Sequence, residues 1–287
     1  MKQINQGLFT GERALFKARD LKISNSVFAD GESPLKESSD ILLDNAIFRW
    51  KYPLWYSRNI TANNITLVDT ARSGIWYTHD ITITDSMIQA PKTFRRASDI
   101  SLERVELPNA QETFWNCKNI TLKQVNAAGD YFAMNSENIS IEDFSLSGNY
   151  AFDGAKNIEV KNAKLISKDA FWNCENVVVR DSTIIGEYLG WNSKNITFID
   201  CIIESNQGMC YMEDLKMENC TIINTDLAFE YSTVDVQATT TIDSIKNPIS
   251  GTITAAGVGE WILDDPEIAA DKTKFHLAEE PEYAIRF

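Results

Sequence analysis

The sequence is short of positive charge. Its 27 Lys and Arg stand against 41 Asp and Glu, a formal net charge of −14 with a pI near 4.6. A non-specific grip on a nucleic-acid backbone needs the opposite sign, so nucleic acid is disfavoured as a partner. No apolar run approaches the ~20 residues that a membrane helix requires. The first residues, "MKQINQGLFTGERALF", contain no apolar leader core. The five cysteines have no CxxC spacing and no nearby histidine pair, which removes the usual metal signatures and leaves a thiol nucleophile without a base. No Gly-rich phosphate loop is present, and no cofactor is specified. The location these absences predict is the cytoplasm, with reduced thiols.

What is present is a repeat. An Asn or Asp precedes an aliphatic residue at Asp20, Asp40, Asn59, Asp80, Asp99, Asn119, Asn138, Asn157, Asn176, Asn195 and Asp214. The intervals are 20, 19, 21, 19, 20 and then 19 throughout. With that Asn/Asp as position zero, +1 is aliphatic in every unit and +3 is apolar from Ile23 to Met217, with mostly polar residues between. Position +8 is apolar throughout, as Phe28, Leu107 and Ile222 show, and +5 is mostly Asn or Asp. Alternation of period two means short strands, and the Asn/Asp positions suit bends between them. Several strands in ~19 residues without a helical period make one coil of a solenoid whose strands stack in parallel. Parallel crossovers are right-handed. The prediction is an all-β, right-handed parallel β-helix of about twelve coils, with polar Asn/Asp ladders at its turns. Residues 1–233 would form the coils, the first sixteen capping the N-terminal end. Residues 234–287 would supply capping strands and an acidic tail from Asp264, within the same domain.

Specific stretches support this independently. "GERALFKA", "GESPLKES", "WKYPLWYS", "GIWYT", "KTFRR", "KDAFWNC", "GEYLGWNSKN" and "IKNPISGTI" resemble a bacterial family of unknown function with a pectin-lyase-like β-helix. The resemblance spans nearly the whole chain. It implies the fold and brings no established activity.

Position −4 reads Phe16, Lys36, Trp55, Trp76, Arg95, Trp115, Met134, Asp153, Trp172, Trp191 and Cys210. Position −5 is mostly large and apolar, and adjacent residues of one strand face opposite ways. With −5 inside, the tryptophans belong at the rim. Aromatic faces beside amide and charged side chains are what a sugar chain wants. The alternative is a buried aromatic stack serving the fold alone. Position −1 alternates in sign through Lys118, Glu137, Lys156, Glu175, Lys194 and Glu213, a cross-strand salt ladder assigned to structure.

Residues outside these ladders gather on one face. "PKTFRR" gives Lys92, Arg95 and Arg96 in one coil, with Glu112 in the next and Asp130, Asp153 and Asp169 beyond. Cations beside carboxylates can hold a sugar and act on it. The candidate catalytic set is therefore Arg95, Asp153, Glu112 and Lys92. The candidate substrate-binding set is Trp115, Trp172, Arg96, Asp130, Asp169 and Trp191, with no metal ligand. β-Helix lyases use an Arg or Lys base and the related hydrolases several aspartates. This chain has no Gly-His-Gly and no adjacent Asp pair on that face, and Arg95 and Asp153 would lie ~14 Å apart by coil spacing. His79, at a surface ladder position, is a weaker acid/base candidate. The expected partner is an oligosaccharide bound in a shallow groove, with a lyase-like or hydrolase-like activity. A non-catalytic scaffold, whose aromatic face meets another protein or a second copy, is the competing reading.

Overall fold

The structure, a computed structural model, describes residues 1–278. It divides into two compact units, Met1–Ser147 and Gly148–Phe287. Apart from two short 3-10 turns, the regular elements are strands. No helix among the described residues is long and apolar enough to cross a membrane. In the first unit the main strands are Lys2–Asn5, Arg19–Phe28, Ser39–Phe48, Arg58–Asn63, His79–Ile88, Ser98–Leu107, Lys118–Ala128 and Glu137–Ser147. Those of the second are Lys156–Ile166, Glu175–Arg180, Lys194–Ile199, Glu213–Ile223, Thr233–Ala238, Ser250–Ala255 and Thr273–Leu277. Within each unit successive strands pair in parallel and in register, as Ile81, Ile100 and Ile120 do. The fold is a parallel β-solenoid.

Its turns number about fifteen rather than the expected twelve. Lys2–Asn5 does not lie across an end. It forms the first rung, with Ile4 opposite Ile23, and Phe9 stacks on Phe28 at 4.7 Å. After Asp214 the Asn/Asp signal disappears, but parallel pairing continues through Val234–Gly251 and Ile253–Phe275. Alternating apolar residues suffice to stack a coil, so the repeat outlasts its most visible marker. The acidic tail's last stretch, 279–287, lies outside the described residues.

The Asn/Asp positions are explained by backbone conformation. Position zero has positive φ in every unit, from Asp20 at 53° to Asp214 at 59°. So does +5, as in Asn25 at 51° and Asn162 at 52°. Asn and Asp enter this left-handed region at least cost among residues with a Cβ. A left-handed residue turns the chain and drops out of the ladder. Ser98 pairs with Lys118 and Ile100 with Ile120, while Asp99 and Asn119 sit between. The expelled side chains then bond up the stack, as Asn119 Nδ2 to Asp99 Oδ1 at 2.8 Å and Asn195 Nδ2 to Asn176 Oδ1 at 2.8 Å. Positions −7 and −3 carry positive φ as well, for example Lys92 at 56° and Asn173 at 53°. Each repeating coil therefore has left-handed residues at these four positions, and from Phe114 to Met209 position −5 adds a fifth.

Between corners the period-two pattern holds without exception. Positions +1, +3 and +8 are buried in every coil from Asp20 to Ile222, including Ile120 and Ile158. The −1 charges pair as the sequence predicts, Lys118 with Glu137 at 3.0 Å and Lys156 with Glu175 at 2.9 Å. All are exposed or half-exposed, and such pairs contribute only about 0–1 kcal/mol. Lys156→Gln is expected to leave the melting temperature and any ligand affinity nearly unchanged. A large loss of either would place a function in this ladder.

Candidate functional site

The rim column at −4 begins from strand alternation. In Phe94–Arg95, paired in parallel with Ile75–Trp76, the −5 residues Ile75 and Phe94 are fully buried and the −4 residues half-buried. Stacking in register then turns the indole planes toward one another along the ladder. Trp55 and Trp76 lie parallel at 5.3 Å. Arg95 occupies the next place, its guanidinium 4.7 Å from the Trp76 ring and 4.5 Å from the Trp115 ring. Each indole N–H donates to the carbonyl of the left-handed −7 residue one coil on. Trp76 bonds Lys92 at 2.8 Å, Trp115 bonds Tyr131 at 2.7 Å, and Trp55 bonds Ser73. These tryptophans tie coil to coil, and Trp76 has both ring faces occupied by neighbours.

One carboxylate bridges two members of the basic cluster. Glu112 receives Lys92 at 3.1 Å through one oxygen and Arg95 at 3.2 Å through the other. Arg95 and Glu112 side chains are each 22% exposed, and Arg95 Nε is buried with no partner. The Arg95 guanidinium is thus clamped between two rings and a carboxylate. Arg96, at the exposed −3 corner, lies 6.0 Å over Tyr77, which stacks on Tyr56 at 4.7 Å. Asp130 is half-buried in the same unit. The structure thus brings Lys92, Arg95, Glu112 and Trp115 together in the first unit.

The remaining candidates form a group in the second unit. Trp172 and Trp191 stack at 5.9 Å, and their indoles bond the carbonyls of Tyr188 and Gln207 at 2.6 Å each. Asp153 stands where the next two coils carry an indole and accepts the Asn173 amide at 2.7 Å. Asp169 sits at a left-handed −7 corner with φ 62°. It is 1% exposed, and its Oδ1 is buried without a partner. Burial pushes its carboxyl above the ordinary range, helped by the charges of Glu187 and Asp153 and opposed by Lys168.

A raised carboxyl pKa means that the folded state binds the proton more tightly than the unfolded chain. The resulting penalty is absent below the unfolded value, near pH 4, and grows as pH rises through the folded value. Asp169→Asn keeps the left-handed corner and removes the charge. It is expected to melt higher than the parent at neutral pH, with the gap closing toward about pH 4. A pH-independent gap in melting scans would rule out this account.

His79 is exposed and bonds Ser98 Oγ at 2.9 Å. All five cysteines are free and buried, and burial pushes the Cys117 thiol up to about 12. No group of three or more His, Cys, Asp or Glu among the described residues could hold a metal ion.

One concavity was missed by the sequence reading. A cleft of about 320 Å³ opens in the first unit, lined by Trp50, Lys51, Asp69, Arg72 and Asn109 among others. Its signal was the interval of 21 residues from Asn59 to Asp80, the longest in the repeat. The additional length appears as the 3-10 turn Asp69–Ala71.

No curated protein sequence matches the chain. Among solved structures it is similar to PfbA, a surface adhesin of Streptococcus pneumoniae, at 11% identity and a TM-score of 0.35, covering 83% of this chain and 77% of that one. It is also similar to the A-module of the mannuronan C-5 epimerase AlgE4 of Azotobacter vinelandii, at 9% identity and a TM-score of 0.31, covering 99% and 90%. A third is a tailspike protein of E. coli bacteriophage HK620, at 11% identity and a TM-score of 0.33, covering 90% and 62%. At these values the likeness carries no argument about activity. Residues 2–276 match the family described as "Protein of unknown function (DUF3737)", and the chain belongs to that family.

Proposed function

We propose that the protein is a saccharide-binding β-solenoid that recognises its ligand without cleaving it. The observation that carries this reading is the −3 column. Tyr56, Arg96 and Asn116 of the first unit are exposed there, each projecting from a left-handed corner with φ between 49° and 55°. Phenol, guanidinium and amide edges are the groups that bond sugar hydroxyls. The indole ladder behind them fixes their spacing, which lowers the ordering cost of binding. Chemistry is set aside because Glu112 engages both Lys92 and Arg95. A cytoplasmic setting, where five buried thiols stay reduced, goes with this reading.

The test is retention on a panel of immobilised polysaccharides, with product analysis of the soluble forms. Retention is expected with no new reducing ends and no unsaturated products. Turnover would make the protein an enzyme, and no retention would remove saccharides altogether. A second reading rests on Ile166, Ile202 and Ile223 of the second unit, which are 40% to 44% exposed. Exposed aliphatic side chains suit a protein partner, and sedimentation over a concentration series would reveal a second copy as that partner.

A further inference from the structure

A repeat of fixed length can add a residue only at a corner, where it bulges outward. Insertions in solenoid coils collect on one face for that reason, often the binding face. Of the ten intervals in this repeat, three depart from 19, and all three lie between Asp20 and Asn119. Two of the lengthened coils wall the same cleft. The 21-residue coil supplies Asp69 and Arg72, and the 20-residue coil supplies Asn109 from the turn after Leu107. The intervening coil contributes Pro91, and Trp50 and Lys51 come from the coil before Asn59. Nothing in coil stacking requires these additions, since neighbouring coils pair without them.

The lining differs from the rest of the surface. Trp50 is 39% exposed and stacks on no other ring among the described residues, unlike the tied indoles at −4. The Lys51 ammonium lies 5.1 Å from its ring and 3.4 Å from Glu32. The Arg72 and Asn109 side chains have no hydrogen-bond or ion-pair partner among the described residues. Asp69 spends one oxygen on the Thr70 N–H at 2.8 Å. Lys51 is paired with Glu32, and the lining also holds one cation, Arg72, and one anion, Asp69, not paired with each other; the charges around the cleft thus sum to about zero in a protein of net charge −14.

We propose that this corner cleft is the recognition pocket for a neutral saccharide. One ring packs its C–H face on Trp50, while Asp69, Arg72 and Asn109 bond its hydroxyls. An indole platform with a few convergent polar groups is the usual make-up of a small-ligand site, and the volume lies at the low end for such clefts. This rests on the saccharide-binding reading above and adds to the −3 column a separate site.

The experiment is calorimetric titration of the full chain with neutral trisaccharides of glucose, galactose and mannose, and with a sulfated trisaccharide as the charged arm. A neutral probe is expected to bind the parent. Trp50→Ala should weaken that binding at least about tenfold and Arg72→Ala about three- to tenfold, while Trp50→Phe keeps most of it. Both substituted positions are on the surface, and a melting scan confirms the fold of each variant. If a neutral saccharide binds parent and both alanine variants alike but loses affinity in Tyr56→Ala or Asn116→Ala, the pocket assignment fails and the broader reading stands. If only the sulfated probe binds, the neutral-ligand assignment fails. If no probe binds the parent, both readings fall together.

Discussion

Phe114→Ala is expected to destabilise the protein by about 3–5 kcal/mol, the largest effect of any single truncation considered. Phe114 is fully buried at position −5 and lies parallel to Phe94 at 4.5 Å, with Phe132 edge-on at 5.2 Å. Truncation removes a ring from a continuous stack. The coils above and below cannot close the gap, because their separation is fixed by the backbone ladder at about 4.8 Å. The lost burial and the residual cavity therefore add. Urea unfolding of parent and variant measures the difference, with Ile202→Ala as the control for an exposed side chain. The control should move by no more than about 0.5 kcal/mol. A loss under about 1 kcal/mol for Phe114→Ala would mean that the coils repack independently of the stack.

Arg95→Ala is the second large change, expected to cost about 2–3 kcal/mol of stability while leaving saccharide affinity unaltered. The sum comes from two ring contacts at about 0.5–1 kcal/mol each and one partly screened ion pair at about 1 kcal/mol. Arg95→Lys should rescue little. An ammonium keeps the charge but has no flat guanidinium to lie between Trp76 and Trp115. Glu112→Gln should cost less, since both ring contacts survive. Denaturant unfolding of the three variants beside the saccharide titration separates the roles. Loss of affinity at unchanged stability in Arg95→Ala would return Arg95 to a binding site.

Part of the candidate site was legible and part was not, for a common reason. The −4 column was visible as a column, because tryptophans recurring at the coil period must stack. Its side chains' engagement was not visible, because indole N–H groups bond carbonyls sixteen residues on, at corners whose conformation is a product of the coil path. The pairing of Glu112 with Lys92 and Arg95 followed from the spacing of one coil. The cleft at Trp50 was marked only by an irregular interval, and a two-residue excess does not say in which direction the chain will bulge.

The sequence by itself determined the parallel solenoid, its coil period, the inward positions +1, +3 and +8 and the surface salt ladder. Those depend only on periodicity: a one-residue slip would bury the polar set, so the register has a single low-energy solution. Tertiary structure alone decided where rings meet guanidinium groups, that Asp169 is buried without a partner, and that Asn109 and Asp69 face one cleft. These depend on the directions in which corner residues project, and left-handed backbone at four or five positions per coil sets those directions. Asn and Asp announce such corners at zero and +5. At −7 and −3 the same conformation is carried by Lys92, Tyr56, Arg96 and Glu112, residues with no local preference for it. There the stacked coils impose the conformation, and one coil read alone gives no sign of it.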